Sequence, residues 1–257
     1  MCKWLHEQLE QLPIIKYPFK LEKLPENGIY FFYEKDEIWG HGKNKLRIVR
    51  IGTHKKQGNF RSRITEHYLL GLCESKMNFD KNKPKPSDRS IFRKNIGRAL
   101  INKQKKYKEY LPIWEIDFTK SKNIKSFGNK RNIDKENEIE SAITKTLRDR
   151  FYFRFIKIDS QSERKTLERL LIGTVASCDS CKKSDRWLGN YSPKMQIKNS
   201  GLWLVQHLKA NGIDENHKKT ILKAIKCTKE WIKLIKNHKK ILALNRSPKF
   251  LLCKDFF

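Results

Sequence analysis

The segment Phe151-Tyr152-Phe153-Arg154-Phe155-Ile156-Lys157-Ile158 sets Phe at 151, 153 and 155, with other residues between. Side chains of a strand point alternately to opposite faces, so this pattern reads as a β-strand with a committed apolar face. A strand is not stable alone and needs partners with matching patterns. Two runs qualify. Gly28–Tyr33 (GIYFFY) is apolar and aromatic, bounded by Asn27-Gly28 and by Glu34-Lys35-Asp36. Leu46–Ile51 follows the Gly- and Lys-rich loop Gly40–Lys45 and stops at Gly52. Two strands joined by a modest loop favour an antiparallel pair, since a parallel crossover usually carries a helix.

The remaining apolar residues recur at helical spacing. Phe60–Leu70 carries Ile64, His67, Tyr68 and Leu70; Ile133–Arg148 carries Ile139, Ile143 and Leu147; Gln161–Ala176 carries Leu167, Leu170, Leu171 and Val175. Each reads as an amphipathic helix. The expected class is α+β: a small, mainly antiparallel three-stranded sheet flanked by helices, with a helical insert and a helical C-terminal extension. Residues 1–27 read as a short helix and an extended arm broken by Pro13, Pro18 and Pro25. A catalytic domain is expected over 28–192, holding a basic insert at about 75–110, and a helical extension over 193–257 with Ile221–Ile235 its clearest helix. Within the insert, a cap at Ser87 or Asp88 is expected to open a basic helix from Ile91 to about Tyr107. Trp114–Phe118 reads as a short strand and Lys120–Asn132 as loop.

Charge narrows the function. Fifty-seven Lys and Arg oppose 28 Asp and Glu, a formal net charge of +29. Self-repulsion on that scale works against a compact state unless an anion relieves it. Nucleic acid does so by releasing its condensed counterions. The six cysteines do not form a disulfide framework in a chain of 257 residues. Cys178-x-x-Cys181 is half of a zinc pattern with no second pair near it in sequence. Met1–Pro13 contains Lys3, His6, Glu7 and Glu10 and so lacks an apolar signal core, and no apolar run reaches membrane-spanning length. A soluble, cytoplasmic protein without membrane contact is expected.

A phosphodiester hydrolase needs a group to deprotonate water, a cation to meet phosphate charge and an acid to hold a metal. Arg63 and His67 are four apart on a helix and project from one face, so both can meet one phosphate. The planar guanidinium fork suits phosphate oxygens. Two acids compete nearby. Glu163 completes a capping box with Ser160, whereas Glu168 lies beside Leu171 and Ile172 at the margin of the apolar face. A carboxylate there is unfavourable unless paired or metal-bound, which makes Glu168 the better metal ligand; ion pairing with Arg164 or Arg169 is its structural alternative.

Gly28-Ile29-Tyr30, Arg50-Ile51-Gly52, Arg63 with His67, Glu168 and Asn190 occur in that order. The ordered set, covering residues 28 to 191, resembles the GIY-YIG nuclease family, whereas any triplet alone would be weak. The resemblance implies catalytic roles for Tyr30, Arg63, His67 and Glu168, with Tyr30 at the attacking water and Glu168 as the ligand of Mg²⁺ or Mn²⁺. It implies a substrate contact from Asn190, and the cation of Arg50 is itself suited to bind the scissile or a neighbouring phosphate. Lys55, beside His54 in a basic loop, and Arg93, in the insert with Arg89, Lys94, Arg98 and Lys103, are further candidate phosphate contacts. Arg50 stands where the family usually has Tyr, and a guanidinium does not act as a base at neutral pH. A phenol ordinarily titrates near 10, so base action by Tyr30 needs help from Arg63 or the metal. The expected function is a metal-dependent endonuclease on double-stranded DNA, sequence-specific in the manner of the restriction-endonuclease branch, with a homodimer left open. The competing reading is a non-catalytic nucleic-acid-binding protein on a decayed scaffold. A PD-(D/E)xK site finds only Glu74-Ser75-Lys76 and no preceding strand acid, and no His-rich hairpin suggests a ββα-metal nuclease.

Overall fold

The computed structural model describes residues 1–42, 44–71 and 79–244; Glu74-Ser75-Lys76 lies outside them. In chain order the elements are α1 (Cys2–Leu9), β1 (Ile15–Lys16), β2 (Gly28–Ile38), β3 (Leu46–Gly52), α2 (Phe60–Tyr68), α3 (Pro86–Arg89), α4 (Ile91–Lys103), α5 (Leu111–Glu115), α6 (Ser121–Phe127), α7 (Ile133–Arg150), β4 (Phe151–Lys157), α8 (Gln161–Ala176), α9 (Met195–Ser200) and α10 (Glu215–Leu244). The fold is α+β, with one antiparallel sheet in the order β1-β4-β2-β3. It has four strands where three were expected. The fourth, β1, pairs Ile15 with Phe153 and Lys16 with Tyr152. Pro13 and Pro18 confine it to two residues at an edge, where a missing N–H is tolerated.

β2 is central and both its faces are buried, which its near-continuous apolar run anticipates. Ile29, Phe31 and Tyr33 join α1, α8 and α10 in one core, through residues such as Leu5, Leu171 and Ile225. Tyr30 and Phe32 join α2, α4 and α7 in the other, through Ile64, Phe92 and Ile143. The registers Tyr30↔Gly52 and Tyr30↔Phe155 set the middle of β2 between both neighbours. The β2–β3 register slips between Phe32↔Arg50 and Tyr33↔Ile48, so β3 carries an extra residue at Val49. Such a bulge re-aims side chains. Here it leaves Arg50 on the Tyr30 side while Ile48 faces the opposite core.

The insert departs from expectation in several places. Trp114 belongs to helix α5, which has Pro112 in its first turn, and the indole packs against α4 where a Cβ at Gly97 would overlap it. Trp114 thereby joins the same core as Tyr30 and Phe32, so the insert packs onto one face of the sheet. The stretch expected as loop contains α6 and a 3-10 turn at Gly128–Lys130. α4 is capped by Ser90, not Ser87 or Asp88: its Oγ accepts from Arg93 N, satisfying a free helix-end N–H. Three cations of α4 are turned to acids of the protein itself, Arg93 to Glu140 (2.6 Å), Lys94 to Asp88 (3.2 Å) and Arg98 to Glu115 (2.5 Å), while Lys103 in the last turn is exposed.

The chain's two ends contribute to the same cores. Leu5, Leu9 and Leu12 pack with Leu202, Leu204, Ile213, Ile221 and Ile225. Trp203 N donates to Val49 O at 2.8 Å, covering the free edge of β3 beside the bulge. Buried Glu34 on β2 accepts from the indole N–H groups of Trp187 (2.9 Å) and Trp203 (3.0 Å). No helix among the described residues is long and apolar enough to cross a membrane.

Candidate active site

Tyr30 lies on β2 with its ring over Gly52, where any Cβ would overlap the phenol. Gly28 is equally constrained, since a Cβ there would overlap the Ile156 carbonyl of β4. The two motif glycines are thus explained by close packing. One α2 face delivers His67, fully buried, whose Nε2 lies 3.1 Å from Tyr30 Oη and whose Nδ1 lies 2.9 Å from Ser90 Oγ. Burial and the cations Arg63, Arg50 and Arg93 push His67 well below the ordinary histidine value. The imidazole is therefore neutral at neutral pH, with one donor and one acceptor nitrogen.

Arg63, one turn before His67, donates through Nη1 to Glu66 Oε2 (2.8 Å) and to Arg89 O (3.0 Å). Burial opposes its charge, but Tyr30 and Glu66 outweigh burial and hold the guanidinium above its ordinary value. Arg50 projects from β3 beside them. Its Nη1 donates to Trp203 O at 2.5 Å, its guanidinium sits 4.7 Å over the Phe92 ring, and its Nε is buried without a hydrogen-bond partner. Burial lowers Arg50 from its ordinary value, countered by Tyr30 and Glu168.

Glu168 reaches this group from α8. Its Oε1 accepts from Thr53 N at 3.1 Å, and Thr53 Oγ1 donates to Gly28 O at 2.7 Å, which ties the carboxylate to the ends of β2 and β3. Burial raises Glu168 above the usual carboxylate value, against the opposing pull of Arg50 and the Thr53 N–H. Arg164 is engaged elsewhere, with Ile158 O, Asp159 O and Gln57 Oε1.

Tyr30, Arg50, Lys55, Arg63 and Glu168 line one cleft of about 820 Å³. His67 contacts it through Tyr30. Arg93 and Asn190 do not line it. Arg93 is fully buried and holds α2 from behind, donating to His67 O at 3.0 Å as well as to Glu140; a side chain so enclosed cannot touch a phosphate. Asn190 Nδ2 donates to Ser184 O and Asp185 O, stabilising its own turn. His54, also on the cleft wall, accepts Gly28 N–H at Nε2 and so turns Nδ1–H to Lys56 O.

Lys56, Arg89, Lys165 and His207 complete the cleft's basic lining. Lys165 could have been found, since it precedes Glu168 by three on one helix face. His207 carried no such signal: it arrives from beyond residue 192, in a left-handed backbone conformation at φ +61°. No curated protein and no solved structure showed significant similarity to the chain. A family model described as the GIY-YIG domain, however, matches residues 3–231, reaching well past the motifs at both ends, and on that match the chain belongs to the GIY-YIG family of DNA endonucleases.

Proposed function

We propose that this chain is a metal-dependent endonuclease that hydrolyses phosphodiester bonds in double-stranded DNA at a preferred sequence. The observation that carries the reading is the convergence of Tyr30, Arg50, Arg63 and Glu168 on one basic cleft, with His67 against the Tyr30 hydroxyl. Ser90 Oγ accepts the Arg93 N–H, which leaves its own proton free for His67 Nδ1. His67 then presents Nε2–H to the phenol oxygen, consistent with a positive field that disfavours imidazolium. Ionised to phenolate beside Arg50 and Arg63, that oxygen takes a proton from the attacking water and returns to phenol, while the hydroxide goes to phosphorus and the two cations meet the negative charge of the phosphate. Arg63 offers its fork to the scissile phosphate, while Lys55, Lys56, Arg89 and Lys165 contact flanking phosphates.

Magnesium keeps several waters and needs only one or two protein carboxylates plus phosphate oxygens. Glu168 fits that donor set, being partly buried at the cleft wall and oriented by Thr53 N–H. Mg²⁺ or Mn²⁺ held there supplies Lewis-acid polarisation of a phosphate oxygen. Base contacts, which alone read sequence directly, fall to the rims of the cleft, as in the restriction branch of the family.

Incubating purified protein with supercoiled plasmid in Mg²⁺ tests the proposal. Nicked or linear product is expected with Mg²⁺ and none with a chelator, and mapped ends should recur at one sequence. Absence of cleavage at every salt concentration, or cleavage that survives chelation, would contradict it.

A further inference from the structure

Outside the lining of the cleft, Cys2, His41, Cys178 and Cys181 bring their ligand atoms within 4.8 Å of one another. Cys2 Sγ lies 3.7 Å from Cys181 Sγ, and His41 Nε2 lies 3.0 Å from Cys178 Sγ. We infer that these four side chains bind one structural zinc ion. With Zn–S and Zn–N bonds of about 2.3 and 2.0 Å, tetrahedral ligands sit about 3.5–3.8 Å apart, so no ligand-atom separation in the cluster needs to change by more than about 1 Å to close on an ion. Three thiols and an imidazole form a donor set that selects zinc over hard cations.

The ligands come from three separate places: the first turn of α1, the loop after β2 and the segment after α8. The sequence offered only the Cys178–Cys181 half, and folding supplies the other half from 137 and 176 residues away, as the numbering shows. Three details mark the site as built. A Cβ at Gly40 would overlap the Ser180 carbonyl, so only glycine lets the two loops meet. His6 accepts Ile48 N–H at Nε2 (3.2 Å), which fixes its proton on Nδ1, beside Cys2 O (3.0 Å) and Cys2 Sγ (3.5 Å). That N–H supports a thiolate from behind and leaves ligation to His41. Trp39 stacks on His6 at 5.0 Å. Zinc here fastens the ends of β2 and α8, the strand and helix that carry Tyr30 and Glu168.

Full-length protein, purified with a thiol reductant but no chelator, is to be analysed by inductively coupled plasma mass spectrometry. About one zinc per chain is expected. Cys178→Ser and His41→Ala should bring it close to zero. Cys227→Ser, which alters an exposed cysteine outside the cluster, and Glu168→Ala should each leave it at about one, separating this site from the cleft. Apoprotein reconstituted with Co²⁺ should show the visible bands and thiolate charge transfer of tetrahedral cobalt. Protein that carries no zinc and binds neither ion, or mass spectra showing Cys2 and Cys181 joined in a disulfide, would overturn the inference. If the ligand variants do not fold, the wild-type zinc content and cobalt spectrum decide alone.

Discussion

Arg50 replaces the second motif tyrosine, yet the site keeps the chemistry a phenol could supply, because Tyr30 remains and is held by His67 at 3.1 Å. What Arg50 adds is fixed positive charge, pinned to Trp203 O and laid on Phe92. Burial raises Glu168 above the usual carboxylate value, so its protonated form is favoured in the folded state. Its stabilising contribution is then fully present below its unfolded pKa and is lost as pH rises through the folded one. Glu168→Gln should accordingly raise the melting temperature at neutral pH while abolishing Mg²⁺-dependent cleavage, a trade-off expected where function requires a strained charge. A thermal melt beside a cleavage assay checks this; a lower melting temperature would contradict it. Arg63, His67 and Glu168 were legible as types and spacings. The inward use of Arg93 was not, because sequence shows its charge but not Glu140, which reaches it across 47 residues.

At the level of elements, the sheet was legible wherever both faces or strict alternation constrained it, as in β2 and β4. β1 escaped notice because two residues between prolines carry no period. α5 was misread because Trp114 and its neighbours are apolar without a face to declare. The same elements make opposite predictions for two groups of cations. Arg93→Ala leaves the buried Glu140 without its counter-charge, with the Ser87 N–H still bonded to it, and should cost about 3–5 kcal/mol in a denaturant melt, with the salt dependence of DNA binding unchanged. Lys55→Ala and Lys165→Ala should cost little stability but each reduce the log–log salt slope by about 0.9. Equal slopes for all three variants would contradict this division. Glu34, pushed up to about 7 by burial against the help of two indole N–H groups, ties β2 to the segment around Trp203. Its stabilisation is present below the ordinary carboxylate range and fades as pH rises through about 7. Melting temperatures followed from acid to mildly alkaline pH should flatten in Glu34→Gln; an unchanged profile would contradict the assignment.

For the whole molecule, a net charge of +29 indicated a polyanionic partner before any motif was read, but not where that partner lies. The structure divides the cations: Arg93, Lys94 and Arg98 of α4 are spent on ion pairs within the protein, while Arg50, Lys55, Lys56, Arg63, Arg89 and Lys165 gather at the cleft. The chain past residue 192 closes that cleft with Val205, Gln206 and His207 and covers the β3 edge with Trp203. Its role was hidden because a backbone-mediated edge contact leaves no side-chain pattern. The central claim is that Tyr30 and Glu168 act on a single phosphate in this cleft. Single-turnover cleavage of plasmid in Mg²⁺ by the wild type, Tyr30→Phe and Glu168→Ala, at protein concentrations where each binds DNA fully, tests it most directly. Both variants should lose at least about 10²-fold in rate, the scale of a lost acid–base or electrostatic group. Either variant cutting at the wild-type rate would contradict it.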